Sequence, residues 1–370
     1  MIEPDLRKVI AFDAWTAEEQ ASLENGNVVV RSIETKERQE IASIGIFRLK
    51  GAPPVLMQTF REAFSQKGTT SVRAGGRFGE APAMEDVRNL DLEPGAVEQL
   101  RKCSVGNCDL NLSAEMIGRF QKEVDWSSAD AGSHAAKLIR EMLVEYASGY
   151  LTRGDPALGE YRNRRKAVDL TASHRALLAD STIIKQLSPE FADFLTKFPA
   201  GNLAGIENSL HWAVVDLGLK PSITLSHSAT YVQLRGKEEQ FFVSAKQIYA
   251  SRYLDSSLSF TVLLRVESEG GIDSYVVFLD RSRSDVLDGP IGRAARGVTQ
   301  REINAKIKAL LERAQLRLIA ESKPTDRAVD EPSESEAWWF LGSTYSLSVL
   351  IAIGILVVII ALVLKRRSAR

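Results

Sequence analysis

The feature that most constrains the fold is the alternation of apolar and polar side chains over residues 223–280. One face of the first run carries Ile223, Leu225, His227, Ala229 and Tyr231, and the residues between them are all Thr or Ser. A period of two is typical of a β-strand with one buried face. Three further runs follow at 241–253, 258–266 and 274–280. Four consecutive strands with short connections predict an antiparallel meander, with Gly270-Gly271 at its last hairpin.

Most of the remaining chain is predicted to be helical, apart from two strands within 28–50. Residues 92–220 are predicted as a large helical insertion, because apolar side chains recur there at intervals of three and four. The last helix of this insertion is predicted to carry Leu210 and Val214 and to end at Gly218. The insertion separates the two parts of the chain that form the sheet.

Two other helices complete the predicted body, which covers residues 1–320. One begins at Pro53-Pro54, and the other covers 299–320. The second carries an apolar stripe made of Ile303, Ile307, Leu310, Leu311, Ala314 and Leu318. This spacing is typical of a helix that packs on one side. The body is therefore predicted to be α+β, with sheet elements at 28–50 and 221–280 packed on a long C-terminal helix.

The C-terminal region predicts a membrane span. From Leu347 to Leu364 the sequence LSVLIAIGILVVIIALVL holds no charged residue. Extended back to residue 338, the uncharged stretch is long enough to cross a bilayer with some tilt. An acidic linker at 321–337 precedes it, and a basic tail at 365–370 follows. We therefore predict a single transmembrane helix over 338–364, with the lipid bilayer as its partner.

The charges on either side of this span predict an extracytoplasmic body, because basic residues favour the cytoplasmic side. The N-terminal sequence MIEPDLRKVIAF lacks the apolar region of an export signal. Two explanations stay open. Either the chain is tail-anchored with a cytoplasmic body, or the given start lies downstream of the true one.

Cys103 and Cys108 are the only cysteines of the chain, too few for a disulfide scaffold or a cysteine-rich zinc site. Gly106-Asn107 lies between them and could turn the chain enough to join the two sulfurs. A disulfide and two separate thiols are both compatible with this spacing. A disulfide would agree with the extracytoplasmic body.

The order of elements resembles the START-like (SRPBCC, helix-grip) superfamily, over about residues 28–70 and 221–320. The resemblance rests on that order and on stretches such as KQIYASRYLDSSLSFTVLL and DRSRSDVLDGPIGRAARG. It implies a curved sheet that wraps the last helix and encloses a cavity for a hydrophobic ligand. The chain departs from the family pattern, because a long, mostly helical insertion interrupts the sheet.

Four side chains are predicted to bind the ligand: His227, Tyr231, Tyr249 and Tyr253. A histidine on an apolar face can make a polar contact in a pocket, although a hydrogen-bonded core histidine is the commoner case. The tyrosines can line a cavity or fill a core. Lys246 falls on the alternation opposite to Val243, Ala245, Tyr249 and Tyr253. It is therefore predicted to face water.

Composition and motifs argue against several classes of function. A net charge of −1 offers no basic surplus for binding nucleic acid. The four histidines are scattered without metal-ligand spacing, and no nucleophile, phosphate-loop or dinucleotide motif is present, so no metal, cofactor or catalytic residue is predicted. We expect a membrane-anchored, non-catalytic domain that binds a hydrophobic or lipid-like ligand. The alternative is a structural or protein-interaction module with a filled core, and an enzyme is a third hypothesis.

Overall fold

The computed structural model describes residues 10, 12–50, 72–216, 220–235, 238–268, 271–284, 287–288 and 290–321. The helix predicted to begin at Pro53-Pro54 lies outside these residues, as do 322–370.

The described part of the chain is built around an eight-stranded antiparallel sheet with strand order β1-β2-β10-β9-β8-β7-β6-β3. Its strands are β1 (Val29–Ile33), β2 (Glu40–Lys50), β3 (Val72–Arg77), β6 (Glu207–Val215), β7 (Ser222–Arg235), β8 (Glu238–Ala250), β9 (Ser256–Ser268) and β10 (Gly271–Arg283). A separate short pair is formed by β4 (Glu160–Tyr161) and β5 (Val168–Asp169). Strands β7 to β10 are consecutive neighbours, so the predicted meander is confirmed.

Eight α-helices accompany the sheet: α1 (Ala17–Glu24), α2 (Pro94–Lys102), α3 (Ala114–Glu123), α4 (Ala131–Arg153), α5 (Leu170–Asp180), α6 (Thr182–Leu187), α7 (Pro189–Lys197) and α8 (Pro290–Glu321), all counted within the described residues. Local sequence signals place several of their starts. The Thr16 side chain accepts from the Glu19 N–H, which completes a capping box for α1. Ser188 caps α7, with proline in its first turn.

The helices lie on both faces of the sheet. On one face, α8 packs Ile303, Ile307 and Leu311 against side chains of the sheet that include Phe278. On the other face, α2, α3 and α4 share a core with β6, β7 and the end of β8. Helices α1, α5, α6 and α7 form a third core with β2, β9 and β10. Both faces of the sheet are therefore buried.

Besides the short β4 and β5, a long strand of the main sheet lies inside the predicted helical insertion. Glu207–Val215 is β6, so the helix predicted to carry Leu210 and Val214 is wrong. Leu210 and Trp212 pack into the helical core, while Ala213 and Val215 pack toward α8. A strand buried on both faces shows no clean alternation, and its apolar residues can coincide with helical spacing.

The predicted transmembrane helix is not supported. No helix among the residues that the structure describes combines the length and the apolar composition that a membrane crossing needs. The longest of them, α8, has an apolar stripe on one side and exposed charges such as Lys308 and Glu312 on the other. The predicted span from Leu347 to Leu364 lies outside the described residues. We therefore correct the fold class to α+β with a large antiparallel sheet, and the single-pass anchor and the membrane localisation find no support in the described residues.

Cys103 and Cys108 form a disulfide directly after α2, with their Cα atoms 4.5 Å apart. Gly106 has a φ of +82°, in the left-handed region that favours glycine. Its N–H donates to the Arg162 carbonyl at 2.7 Å, and the Cys108 N–H donates to the Asn163 carbonyl at 2.9 Å. These bonds attach the disulfide loop to the segment between β4 and β5.

Candidate functional site

A cavity of about 310 Å³, called the main cavity below because its wall is mostly apolar, lies between the sheet and the helical insertion. A larger cavity of about 700 Å³ adjoins it at Asn89, Asp91 and Leu92, but its wall is more polar and does not include Tyr249. Its apolar wall includes Ala96, Leu100, Leu112, Ile139, Ile223 and Tyr249. These side chains come from α2, the segment after the disulfide, α4, β7 and β8. The cavity is therefore on the sheet face opposite α8. The resemblance to the START-like superfamily implied a cavity between the sheet and the last helix.

The wall of this cavity also carries two arginines, Arg73 and Arg252, and two acidic residues, Asp91 and Glu93. Arg252 is 5% exposed, and its Nε donates to the Pro221 carbonyl at 3.1 Å. Burial lowers the pKa of Arg252, which Glu93 counters from 3.9 Å away. The numbers of cationic and anionic side chains in the wall are equal, so the cavity favours a neutral or weakly polar group over a strong anion.

A β-bulge directs Tyr249 into the helical core. The pairing of β7 with β8 shifts by one residue between Leu225 and Ser226, because Ile248 is an extra residue in β8. Ile248 and Tyr249 both pack into the core shared with α4, whereas Val243 packs on the α8 side. The alternation in the sequence predicted that Tyr249 and Val243 share a face, and the bulge reverses this.

The hydroxyl of Tyr249 is buried without a hydrogen-bond partner among the described residues. Burial raises the pKa of this phenol. Its ring lies between those of Tyr146 and Tyr161, with centroids 5.9 and 6.1 Å away. Leaving a buried hydroxyl unpaired costs about 1–3 kcal/mol. Such a group is unusual in a core and marks Tyr249 as a candidate functional residue.

A second cavity of about 270 Å³ is also lined by Tyr249. Met116, Met142 and Leu158 line it as well, and all three are buried. Charged side chains, among them Arg119 and Arg153, are also part of its wall. Tyr249 is therefore in contact with both cavities.

A row of polar side chains lies between α4 and the sheet, and we call it the buried polar row: Tyr150, His227, Lys246 and Asp155. The Tyr150 hydroxyl and His227 Nδ1 are hydrogen-bonded at 2.9 Å. Lys246 forms an ion pair with Asp155, and its Nζ lies 5.5 Å from the centre of the Tyr150 ring. Burial lowers the pKa of His227 to about 3, so this histidine is neutral near pH 7.

Lys246 is buried, so the prediction that it faces water is wrong. The helical insertion covers the sheet face that the alternation assigned to solvent. Burial lowers the pKa of the Lys246 amine more strongly than Asp155 raises it. The ammonium group is held by Asp155 and lines neither cavity, which assigns it a structural role.

The four predicted ligand-binding residues do not form one site. Tyr249 lines the main cavity, while His227 belongs to the buried polar row. The Tyr231 ring stacks on Phe191 at 5.9 Å in another core. The Tyr253 hydroxyl donates to the Lys220 carbonyl at 3.1 Å near the surface. Three other residues of the main cavity could not be predicted as site residues, because they are ordinary apolar helix residues without a functional signature: Ala96, Leu100 and Ile139.

Replacing two neighbouring tyrosines, Tyr249 and Tyr161, by phenylalanine tests whether the Tyr249 hydroxyl is unpaired. Tyr249→Phe is expected to leave the unfolding free energy unchanged or to raise it by about 1 kcal/mol, because an unsatisfied group is removed. Tyr161→Phe is expected to lower it by about 1–3 kcal/mol, because the Ala250 N–H loses its acceptor at 2.9 Å. Urea denaturation measures both. An equal loss in the two variants would show that the Tyr249 hydroxyl has a partner in solution.

No protein-family model, curated protein or solved structure matches the chain. The resemblance to the START-like superfamily therefore stays a prediction. The part of the chain that the structure describes contains no group of three His, Cys, Asp or Glu side chains placed to hold a metal ion. The functional argument consequently rests on the shape and chemistry of the cavities.

Proposed function

We propose that the protein binds a small hydrophobic molecule in the main cavity. The observation that carries this proposal is the cavity of about 310 Å³ between α2, α4 and the sheet, with a wall of aliphatic side chains and Tyr249. Ligand cavities in proteins measure about 300–1,000 Å³ and are mostly apolar with a few polar groups. The size favours a small ligand, at the low end of this range.

The lining indicates the chemical class of the ligand. Leu100, Leu112 and Ile139 offer contacts to an aliphatic chain. The equal numbers of cationic and anionic side chains in the wall favour a neutral polar head group. A medium-chain alcohol or the protonated form of a medium-chain acid has this chemistry.

The polar groups around the cavity favour binding over catalysis. The Ser251 hydroxyl accepts from the Ile223 N–H at 2.8 Å and is therefore committed to the backbone. Arg252 is engaged by the Pro221 carbonyl. His227 and Lys246 do not line this cavity. Group transfer needs a nucleophile with an adjacent base. The described residues that line this cavity do not provide such a pair.

Filling the cavity tests the proposal. Titration calorimetry with decanol is expected to give saturable binding to the full chain. Ala96→Leu adds an isopropyl group to the wall, and we expect it to weaken decanol binding about tenfold, because roughly two methylenes of the ligand lose their place. The thermal unfolding midpoint should not fall, because the added group occupies existing space.

Glu98→Leu is the matched control, because Glu98 is an exposed residue of the same helix. Its affinity for decanol is expected to equal that of the unchanged protein. Equal binding by the Ala96→Leu variant would place the ligand elsewhere. No binding by any form would reject the proposal and favour the alternative, an interaction module with a filled core.

A further inference from the structure

We infer that the Tyr249 ring is a partition that sets the length of chain the protein accepts. This inference rests on the proposed function and adds a specificity-determining residue to it. The ligand is expected to end against this ring in the main cavity. The second cavity is reached only when the ring is moved or removed.

The first support is that Tyr249 is the residue that the linings of the two cavities have in common. Both have Tyr249 in their wall, with volumes of about 310 and 270 Å³. Leu112 lines the first and the next residue, Ser113, lines the second. Likewise, Ile139 of α4 lines the first cavity, and Met142, one turn further along the helix, lines the second. Opening the partition would nearly double the space available to a chain.

The second support is that no hydrogen bond among the described residues holds the Tyr249 side chain in place. Its hydroxyl is buried and unpaired. The neighbouring rings differ, since the Tyr146 hydroxyl donates to the Ile248 carbonyl at 2.8 Å and the Tyr161 hydroxyl accepts from the Ala250 N–H at 2.9 Å. A shift of Tyr249 therefore breaks packing contacts but no hydrogen bond, whereas a shift of either neighbour breaks one.

The third support is the chemistry of the second cavity. Met116, Met142 and Leu158 provide buried apolar surface that a longer chain could continue along. Methionine side chains adapt readily to irregular ligands. The second cavity thus offers apolar surface beside Tyr249, together with charged side chains such as Arg119 and Arg153.

A series of straight-chain alcohols tests the inference. For the unchanged protein, affinity should rise about fourfold per methylene until the chain reaches Tyr249, and then stop rising. In Tyr249→Leu the rise should continue to longer chains, so that hexadecanol binds at least tenfold more tightly than to the unchanged protein. Tyr249→Phe keeps the ring and should retain the original length limit. Tyr249→Met, which leaves a smaller void, is a second opened variant in case Tyr249→Leu does not fold.

The outcomes separate this inference from the proposed function. If decanol binds and the length limit is the same in Tyr249→Leu, Tyr249→Met and the unchanged protein, the partition is rejected while the proposed function stands. If no alcohol binds to any form, both are rejected. A limit that moves in both opened variants and stays in Tyr249→Phe supports the ring as the determinant of length.

Discussion

Glu40→Gln is expected to lower the unfolding free energy by about 3–5 kcal/mol, the largest effect of any single change considered for this protein. Glu40 is fully buried at the start of β2. Its carboxylate pairs with Arg281, and it accepts from Arg283 Nη2 at 2.8 Å and Nε at 3.0 Å. The amide leaves the buried Arg281 and the largely buried Arg283 without their carboxylate partner, at nearly unchanged side-chain volume.

The effect is expected to be large because these charges are desolvated. The Arg281 and Arg283 side chains are 8% and 13% exposed. Exposed pairs contribute about 0–1 kcal/mol, since water screens the charges before and after the change. Glu98→Gln, which breaks the exposed pair with Lys102, is therefore the matched control.

Chemical denaturation of the full chain measures both variants. The Glu40→Gln variant should unfold at a clearly lower denaturant concentration, and the Glu98→Gln variant should change by less than about 1 kcal/mol. Combining Glu40→Gln with Arg281→Met and Arg283→Met should recover much of the loss, because no unpaired charge is left in the core. Similar losses in the two single variants would show that Glu40 is hydrated in solution.

Asp155→Asn is expected to lower the unfolding free energy by about 2–3 kcal/mol at pH 7, toward the lower end for a buried pair. The change leaves the Lys246 ammonium, 9% exposed, next to the Tyr150 ring without its carboxylate. Asp155 itself is 26% exposed, so part of the interaction is already screened.

The pH dependence of this loss identifies its cause. Burial lowers the pKa of Lys246, and removing Asp155 removes the largest opposing influence. The unfolded state then binds a proton that the folded variant holds weakly, so the unfolding free energy of the variant rises with pH toward the unfolded lysine pKa of about 10.4. The difference from the unchanged protein should therefore shrink between pH 7 and pH 10.

Two further variants complete the test. Adding Lys246→Met to Asp155→Asn removes both charges and should restore stability to within about 1 kcal/mol. Asp193→Asn breaks an exposed pair with Lys197 and should have an effect below about 1 kcal/mol at every pH. A loss in Asp155→Asn that does not depend on pH would assign its effect to packing or to the loop geometry rather than to the charge of Lys246.

The residues of the candidate site differ in whether the sequence alone indicates them. Tyr249 could be proposed from the sequence because an aromatic residue in a strand is a visible candidate. The face of the sheet on which Tyr249 lies could not be predicted, because the extra residue Ile248 moves the Tyr249 side chain to the other face. Ala96 and Ile139 leave no signal, because a cavity is made by the distance between helices and not by the identity of one side chain. Lys246 was misplaced because the alternation does not reveal what covers each face.

By itself, the sequence determined part of the local structure, but not the strand at Glu207–Val215. The alternation over β7 to β10, the cap at Thr16 and the apolar stripe of α8 act within a few residues, so propensity and periodicity are enough to predict them. Only the tertiary structure decided that the helical insertion covers the second face of the sheet and that Glu40 and Asp155 pair with buried cations. It also placed a cavity beside Tyr249. These features depend on contacts between distant parts of the chain, and no local pattern specifies which surfaces meet.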